Sequence, residues 1–406
     1  MATMIDQEFT KVEGGVTAAR GFRAAGLHCG IKSARPDLAL VVSDSLAAAA
    51  GVFTTNAVKA APVLVSMEAI QSGAAQAVLV NSGNANACTG AQGLADAREM
   101  VSLTARALGI AEEFVLVAST GVIGVPLPMA PVRGGIPQLP ARLSRDGTPA
   151  AEAILTTDAF AKTAAVRLSL KGVTVTIGGM AKGAGMIHPQ MATTLCVITT
   201  DAAVPAPLLR RALRRAADES FNCISVDGDT STNDTIFLLA NGQAGHAPLA
   251  EEDPELETFT TALVAVAGEL ARMVVRDGEG ATKLITVTVR GARSAVDAKR
   301  AVNAVMTSPL VKTAIYGAEP NWGRILAAAG RSGARFHPDQ AAITIGGVQV
   351  VAGGVGVPAS MPAAAEAMKA PAYEIVVDLG AGDASSRGWT CDLNEGYVKI
   401  NAGYMT

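Results

Sequence analysis

Residues 181–200 read AKGAGMIHPQMATTLCVITT, and the Ala192–Thr193 junction lies within them. A lysine among glycines, then a small residue, two threonines and an apolar run of β-type composition favour a self-cleaving threonine nucleophile. If the bond before Thr193 breaks, that residue carries a hydroxyl nucleophile and also a free α-amine that can act as its base. The pKa of an α-amine, about 8, is close to working pH, where general-base catalysis is efficient. The segment therefore predicts an N-terminal threonine nucleophile at Thr193.

The composition is that of a globular protein with enough chain for two or three domains. The chain has 406 residues, of which 50% are hydrophobic and 17% are charged, and its formal net charge is −3. This balance gives no electrostatic reason to expect a nucleic-acid partner, because such partners usually require a concentrated basic surface. The basic run at 209–215 is interpreted as the solvated face of a helix, with an anion site as the alternative.

The five cysteines are scattered and never adopt CxxC spacing. This pattern argues against a disulfide framework and against a zinc site. The first fifteen residues contain early acidic residues and no apolar stretch, so no signal peptide is expected. No run approaches the roughly 20 apolar residues of a membrane span, so we expect a cytoplasmic protein without a membrane partner.

The first half of the chain is predicted to contain short buried strands separated by glycine-rich turns. The predicted strands cover 38–43, 77–81, 114–119 and 164–177. A helix is predicted over 94–108, with Gly109 as its C-terminal cap. The segment 121–150 contains several prolines and glycines, which predicts a surface excursion.

Beyond the junction we expect a strand, a helix, a polar loop, a second strand and a long helix. These elements are predicted at 194–200, 206–219, 225–235, 236–240 and 257–276. From residue 284 the pattern alternates between strand and helix again, which predicts a separate α/β domain. Its elements are predicted at 284–289, 295–305, 342–351 and 373–379.

Conventional catalytic constellations are scarce in this sequence. None of the four histidines lies in HExxH or near a GxSxG serine. His188 is close to Thr193 in sequence, and it is either a catalytic base or a structural histidine beside a proline. The glycine-rich stretch 178–185 fails the phosphate-loop templates and is interpreted as a tight turn, in which Lys182 could orient a substrate carboxylate.

Three further polar positions each admit a structural and a functional interpretation. The loop 227–234 has the oxygen density of a calcium site but lacks the bidentate glutamate, so a hydrogen-bonded turn is favoured and no metal is expected. After Ser119, Thr120 and Gly121 are expected to form a turn, which could also supply an oxyanion hole. Glu279 either binds a cationic substrate end or lies in solvent.

Together these motifs resemble the ArgJ family, the ornithine acetyltransferases (glutamate N-acetyltransferases) of the cyclic arginine pathway. The resemblance runs nearly from end to end. It is carried by GVFTTNAVKAAPV (51–63), NSGNANACTG (81–90), STGVIG (119–124), TTD (156–158), GGMAKGAGMIHPQMATTL (178–195), DGDTSTNDT (227–235), EGATK (279–283), SPLVKTAIYGAEPNWGRI (308–325) and the C-terminal segment ending at Thr406. The motif around the Ala-Thr pair is highly specific, although Thr194 follows the nucleophile where the family usually has Met or Leu.

The resemblance implies a role for each matching position. Thr193 resembles the nucleophile that becomes the N-terminus of the second chain after cleavage of the Ala192–Thr193 bond. Thr120 and Gly121 match the oxyanion-hole pair. The positions that match substrate contacts are Thr157, Lys182, Thr193, Glu279, Asn401 and Thr406, and no metal is implied.

The implied fold is a layered α/β fold like those of DmpA and ArgJ, with a self-processing N-terminal threonine nucleophile and a smaller C-terminal α/β domain. The implied division is an α chain at 1–192 and a β chain whose first part, 193–283, carries the nucleophile and the long helix. The C-terminal α/β domain of the β chain then covers 284–406. The default assembly of the family is a heterotetramer of two α and two β chains.

The implied reaction moves an acetyl group from N2-acetylornithine to glutamate through an acyl-enzyme on Thr193, without a cofactor because the protein itself carries the acetyl group. Some family members also take acetyl-CoA as donor, and no residue here decides between the two types. Two alternatives stay open. A self-processing amidase or aminopeptidase of the DmpA type would pass the acyl group to water, and a non-catalytic amino-acid-binding protein would keep an unbroken chain.

Overall fold

The structure of the chain, a computed structural model, describes residues 9–188 and 194–403. Within these residues the strands are β1 (Phe9–Lys11), β2 (Phe22–Leu27), β3 (Leu38–Phe53), β4 (Ala74–Asn84), β5 (Val115–Val122), β6 (Lys162–Leu170), β7 (Val173–Lys182), β8 (Leu195–Thr200), β9 (Ile224–Ser225), β10 (Thr235–Ala240), β11 (Leu284–Ala292), β12 (Ala342–Ile345), β13 (Val348–Ala352), β14 (Val355–Gly356), β15 (Ala372–Asp378) and β16 (Ala384–Cys391). The α-helices there are α1 (Ala61–Ala69), α2 (Gly90–Leu108), α3 (Met129–Gly135), α4 (Thr148–Ala153), α5 (Ala206–Asp218), α6 (Glu255–Arg276), α7 (Ala295–Met306), α8 (Pro309–Tyr316), α9 (Trp322–Gly330), α10 (Met361–Ala367) and α11 (Glu395–Asn401).

The strands β1 to β8 and β10 form a mixed sheet whose central strands are buried on both faces. Along β8, Cys196 and Ile198 face one hydrophobic core, whereas Leu195 and Val197 face another. The same alternation recurs in β10, β4 and β5, because successive side chains of a strand point to opposite faces. The apolar runs that predicted buried strands therefore reflect a sheet that is covered on both sides.

The long strand β3 joins the two halves of this sheet. Its second half pairs with β10, while its first half pairs with β2 and β4, and its register against β4 shifts between Val42 and Ala47. Such an irregularity bends a strand. The two halves share one core, and their outer faces are covered by α5 and α6 on one side and by α1 to α3 on the other. The result is a helix–sheet–sheet–helix arrangement, the layered α/β fold expected from the sequence.

Helix α6 confirms the long helix predicted at 257–276. Its apolar face packs against α5 and the strands β6 and β7. Among the helices of the described residues, it is the one that is long and apolar enough to cross a membrane by length and composition. Most of that stretch is buried inside the protein, so core packing accounts for its hydrophobicity.

Two predicted single strands are hairpins instead. The predicted strand 164–177 falls on β6 and β7, which turn at Lys171 and Gly172 with φ of 48° and 78°. The predicted strand 342–351 falls on β12 and β13, which turn at Gly346 and Gly347 with φ of 55° and 83°. Two-residue turns with positive φ match the twist of the flanking strands. The prediction missed them because the apolar pattern continues on both sides of each turn.

The segment 121–150 is more than the surface excursion that was predicted. It contains α3 and the start of α4, and it contributes Leu127, Val132, Ile136 and Leu139 to the core beneath α2. Its prolines begin α4 and short 3-10 turns, where a missing N–H leaves no hydrogen bond unmade. Proline therefore marked helix starts here, which the loop interpretation overlooked.

The last part of the chain forms a second sheet with its own core. Among the described strands its order is β14-β13-β12-β15-β11-β16-β9, and its core is built from residues between Ile285 and Leu379. This is the smaller α/β unit expected from residue 284. The short strand β9 lies before that boundary yet pairs with β16. The exact division at 192/193 and 283/284 stays a prediction.

Candidate active site

A cavity of about 190 Å³ opens where the ends of β5 and β7 meet the loop before β10, the turn after α6, and α11. Five of the residues predicted from the sequence line it, and they come from four separate parts of the chain. They are Thr120, Gly121, Lys182, Glu279 and Asn401. The fold therefore brings together most of the described residues for which a role was predicted.

The start of β8 is adjacent to this cavity. In the antiparallel pair of β7 and β8, Lys182 lies opposite Leu195, and Thr235 is the parallel partner of Leu195 at the start of β10. Ala192 and Thr193 lie outside the described residues, which resume at Thr194. The strand that continues from the predicted junction is thus paired directly with the strand that carries Lys182.

The polar loop between β9 and β10 holds the chain on both sides of the predicted junction. Asp234 accepts a hydrogen bond from the N–H of Thr194 at 3.0 Å. Asp227 accepts hydrogen bonds from the N–H groups of Met186 and Ile187, the latter at 2.9 Å. The loop is the hydrogen-bonded turn favoured from the sequence. Over residues 9–188 and 194–403, no group of three His, Cys, Asp or Glu side chains could hold a metal ion.

Asp234 is a buried carboxyl group with incomplete hydrogen bonding. Burial raises its pKa well above the ordinary value, and the N–H of Thr194 and the charge of Lys182 oppose this only in part. Its Oδ2 atom is buried without a hydrogen-bond partner among the described residues. A buried charge without full pairing is costly, so Asp234 favours its neutral form.

Thr120 and Gly121 lie inside β5, at an irregularity in its pairing with β4. The expectation that the strand ends at 119 and a turn follows is wrong, because β5 continues to Val122. Gly121 has a φ of 132°, and a Cβ there would lie 2.4 Å from the backbone of Gly83. Only glycine permits this close approach of two backbones. The irregularity turns both residues towards the cavity.

Asn233 fixes the end of β5 against the polar loop. Its side-chain amide donates hydrogen bonds to the carbonyl oxygens of Ser119 at 2.8 Å and Ala85 at 2.7 Å. All three residues are buried, which limits competition from water for these bonds. The oxyanion-hole candidates therefore sit on a strand end that is braced from the side.

Lys182 is a buried lysine between two threonine hydroxyls. Its Nζ is 2.7 Å from Oγ1 of Thr156 and 3.3 Å from Oγ1 of Thr120, and a carboxylate oxygen of Asp158 lies 3.8 Å away. Burial lowers the pKa of Lys182, and the charge of Asp158 opposes that change. The stretch 178–185 is also not simply a turn, because its first five residues belong to β7.

Behind Lys182 lies a row of buried charges that the sequence did not reveal. Lys162 Nζ is 2.7 Å from Asp158 and 2.6 Å from Asp277. Asp158 also accepts a hydrogen bond from the N–H of Gly183 at 2.7 Å. Burial would raise the pKa of Asp158, but the ammonium groups of Lys182 and Lys162 hold it well below its ordinary value. Burial raises the pKa of Asp277 against the pull of Lys162.

Glu279 forms the opposite wall of the cavity. A Cβ on Gly185 would lie 2.6 Å from the Glu279 carboxyl group, so glycine is needed for this approach. Asn401 donates a hydrogen bond to Glu279 Oε2 at 2.7 Å. Glu279 is buried, which rules out the interpretation that it lies in solvent. Asn401, the last residue of α11, thus contacts this wall of the cavity.

Three predicted substrate contacts are not placed in the cavity. Thr193 and Thr406 lie outside the described residues. Among the lining residues that the structure describes, the threonine of the TTD motif is Thr156, and Thr157 is not one of them. The contact predicted for Thr157 stays a prediction.

His188 is half-buried beside the polar loop. Its Nδ1 lies 3.3 Å from the hydroxyl oxygen of Ser225, and burial lowers its pKa. Both the catalytic and the structural interpretation of this histidine stay predictions.

Sequence reasoning missed Thr156, Asn233 and Tyr397 as cavity residues. The first two belong to the motifs TTD and DGDTSTNDT, but a motif does not say which of its polar side chains faces the cavity. Tyr397 lines the cavity from α11, with its hydroxyl 3.4 Å from a carboxylate oxygen of Asp227. No pattern in the sequence signalled it, because a single tyrosine in a short terminal helix is common.

Comparisons with known proteins identify the family of this chain. A family model described as the ArgJ family matches residues 23–406. The arginine biosynthesis bifunctional protein ArgJ of Symbiobacterium thermophilum is 53% identical over 397 residues, which cover 97% of this chain and 99% of that protein. The protein of the same name from Geobacter sulfurreducens is 52% identical over 390 residues, covering 95% and 99%.

Among solved structures, the chain is similar to the ornithine acetyltransferase of Mycobacterium tuberculosis complexed with ornithine. That likeness has 40% sequence identity, a TM-score of 0.42, and coverage of 46% of this chain and 100% of the other. The family model spans nearly the whole chain, and the two named relatives are about half identical to it from end to end. The chain therefore belongs to the ArgJ family.

Proposed function

We propose that this chain transfers the acetyl group of N2-acetylornithine to glutamate, through an acyl-enzyme on Thr193 that becomes available after cleavage of the Ala192–Thr193 bond. The observation that carries the proposal is the convergence of Thr120, Gly121 and Lys182 on one cavity beside the first residues of β8. Family membership supports it, because the relatives are named as arginine biosynthesis proteins.

The proposed reaction has two halves of the same chemistry. The hydroxyl oxygen of Thr193 attacks the acetyl carbonyl carbon, and its α-amine takes the hydroxyl proton. The Thr120 hydroxyl and the Gly121 N–H stabilise the oxyanion. Ornithine leaves with the proton from the α-ammonium group, and Thr193 is left acetylated. The amine of glutamate then attacks this ester, N-acetylglutamate leaves, and the threonine hydroxyl is restored.

Self-cleavage is proposed to use the same nucleophile. The Thr193 hydroxyl oxygen attacks the carbonyl carbon of Ala192, the peptide nitrogen becomes the free α-amine as an ester forms, and water hydrolyses that ester. The contacts of Asp227 with Ile187 and of Asp234 with Thr194 support this step. They hold the chain at Ile187 and at Thr194, and restraining the geometry of reacting groups lowers a reaction barrier.

The charges around the cavity suit an amino-acid substrate with both a carboxylate and a cationic group. Lys182 is proposed to bind a carboxylate and Glu279 an ammonium group. Thr157, Asn401 and Thr406 are proposed as the remaining contacts. No cofactor takes part, since the protein carries the acetyl group, and acetyl-CoA is proposed only as a second acetyl donor.

The two chains formed by cleavage, 1–192 and 193–406, are proposed to remain together as a cytoplasmic heterotetramer of two α and two β chains. The pairing of β7 with β8 supports their association. It joins Ile177–Lys182 to Leu195–Thr200 across the predicted junction, so the hydrogen bonds of the sheet hold the two chains after the bond is cut.

Three variants test the function. Thr193→Ala should stay uncut and lose at least 10⁴-fold in the transfer of acetyl from N2-acetylornithine to glutamate, because it lacks the nucleophile. Thr193→Ser should keep cleavage and part of the activity. Thr194→Val is the matched control: it removes the neighbouring hydroxyl, which is buried without a hydrogen-bond partner among the described residues, and it should behave as wild type.

Product analysis separates this function from its alternatives. N-acetylglutamate formed in proportion to released ornithine supports acetyl transfer, and a parallel assay with acetyl-CoA reports on the second donor. Free acetate in place of N-acetylglutamate would indicate a hydrolase of the amidase type. A Thr193→Ala protein that is as active as wild type would contradict the proposal.

A further inference from the structure

Four buried side chains connect the end of α6 to the oxyanion-hole candidate. The order is Asp277, Lys162, Asp158 and Lys182, with contacts of 2.6, 2.7 and 3.8 Å between successive members. We call this row the buried charge chain. Its charges alternate in sign, and its last member lies 3.3 Å from the Thr120 hydroxyl oxygen. The chain therefore ends at a group assigned to oxyanion stabilisation.

The hydrogen bonds of Lys182 decide where the hydrogen of the Thr120 hydroxyl points. A lysine ammonium group has three donors and no acceptor. When Lys182 is protonated, the Thr120 oxygen must accept from it, and the hydroxyl hydrogen is left for a different acceptor. Thr120 lines the cavity, so that hydrogen is available there. A neutral Lys182 amine could instead accept the Thr120 hydrogen and withdraw it from the cavity.

Burial by itself favours the neutral amine of Lys182. Several titratable groups face Lys182 from the surrounding elements, and they are Asp158, Lys162, Glu279, Asp234 and Lys32. Asp158 exerts the strongest attraction among the three carboxyl groups, whereas the two lysines repel. The charge of Lys182 therefore depends above all on Asp158.

Asp158 is itself held in place on all sides. It accepts hydrogen bonds from the N–H groups of Thr156 at 2.9 Å and Gly183 at 2.7 Å, besides its contact with Lys162. Lys162 in turn has three acceptors: Asp158, Asp277 and the carbonyl oxygen of Phe160 at 3.3 Å. Lys162 therefore holds the Asp158 carboxylate in position, and Asp277 balances the charge of Lys162.

We propose that Asp158, held by Lys162 and Asp277, is a positioning residue that keeps Lys182 protonated and thereby turns the hydroxyl hydrogen of Thr120 into the cavity, where the oxyanion forms. The inference rests on the proposed function, because it concerns the oxyanion of acetyl transfer. It gives Lys182 a second role beside binding a substrate carboxylate, and it gives a role to three residues that do not touch the cavity.

The test is the pH dependence of activity in Asp158→Asn. Asparagine keeps the shape and one of the two acceptor oxygens but removes the charge, so Lys182 should lose its proton at a lower pH. The ratio of variant to wild-type kcat should fall with rising pH, reaching about a hundredfold loss at pH 9, the size typical of a lost oxyanion donor. For Asp277→Asn, the same ratio should also fall with rising pH, but by a smaller factor. Asp253→Asn, whose carboxylate pairs with Lys171 away from the cavity at 2.6 Å, is the control and should leave the ratio flat.

A double-mutant cycle checks the route through Thr120. Thr120→Ala removes the hydroxyl, so adding Asp158→Asn to it should change kcat at saturating substrate by less than about threefold, because the effects of residues that act as one unit are not additive. Full multiplication of the two single effects, or an Asp158→Asn ratio that does not vary with pH, would overturn the inference.

Processing is measured first in each variant by N-terminal sequencing. If Asp158→Asn does not fold, Asp277→Asn carries the same pH test. If Asp158→Asn folds but cleaves slowly, the pH dependence of kcat is measured on the fraction that has been cleaved. A wild-type protein that neither cleaves nor transfers acetyl contradicts the proposed function, whereas a working wild type with a flat Asp158→Asn ratio contradicts this inference alone.

Discussion

The buried charge chain and the arginine–glutamate pairs over α5 and α6 use similar contacts in opposite surroundings. Lys162 lies 2.7 Å from Asp158, and both side chains are 0% exposed. Arg215 lies 2.7 Å from Glu257, and these side chains are 43% and 65% exposed. The two pairs therefore have equal contact distances but unequal interaction energies, because water screens the second pair and does not reach the first. Burial, more than contact geometry, distinguishes the charges that organise the site from those that are solvated at the surface.

The largest effect is expected from Lys162→Met, which removes the cation between the two carboxyl groups of the buried charge chain. The variant leaves Asp158 and Asp277 buried without their shared cation, which should lower the free energy of unfolding by about 3–5 kcal/mol. The measurement is urea unfolding at neutral pH in the Thr193→Ala background, so that the protein stays one polypeptide. Lys171→Met, which removes a partly exposed partner of Asp253, is the control and should unfold almost as the parent does. Equal losses in the two variants would contradict the role assigned to burial.

An intermediate effect is expected from Asp234, a buried carboxyl group whose pKa is shifted in the opposite direction from that of Asp158. Its folded-state pKa is raised, so its contribution to stability is present below the unfolded pKa of about 3.9 and is lost as pH rises through the folded pKa. In the same background, Asp234→Asn should therefore gain stability relative to its parent as pH rises from 4 to 6, by at most about 1.4 kcal/mol per pH unit.

Asp158→Asn should show the opposite trend. The folded pKa of Asp158 is depressed, so its stabilisation is present above the unfolded value and is lost as pH falls through the folded pKa. The loss in the free energy of unfolding of this variant, relative to its parent, should be largest at neutral pH and should become smaller below pH 4. If the free energy of unfolding changes with pH in the same direction in the Asp234 and Asp158 variants, the opposite pKa shifts of the two buried carboxyl groups would be contradicted.

The smallest effect is expected on the exposed side, from Arg215→Ala. This change removes contacts with Glu219 and Glu257 that are open to solvent, so we expect a loss of about 0.5 kcal/mol. The loss should shrink further in 0.5 M salt, because screening already weakens the pair. A loss comparable to that of Lys162→Met, or one insensitive to salt, would refute the distinction between the two regions.

The sequence predicted the fold best where one pattern had one structural meaning. The long helix α6 and the cap at Gly109 follow directly from apolar spacing and from the tolerance of glycine for positive φ (68° here). The hairpin turn at Lys171 was missed because valine and threonine continue on both sides of it. Similarly, proline in 121–150 is typical of both loops and helix starts, and the loop interpretation was the wrong one.

For the site, the sequence predicted polar residues within motifs but not the partners that hold them. Thr120, Lys182 and Glu279 were identified, and they do line one cavity. Lys162 was not, because a single lysine in a strand of ordinary composition gives no sign that it is fully buried between two carboxylates. Such a contact joins residues 115 positions apart, and only the folded chain brings them together.

The most direct test of the account is intact mass and N-terminal sequencing of the purified protein, before and after brief exposure to N2-acetylornithine. We predict two polypeptides that together account for the 41.1 kDa chain, one of them beginning TTLCVITT and gaining the mass of one acetyl group on exposure. A single uncut chain that is stable at neutral pH and acquires no acetyl group would contradict the assignment of Thr193 as the nucleophile.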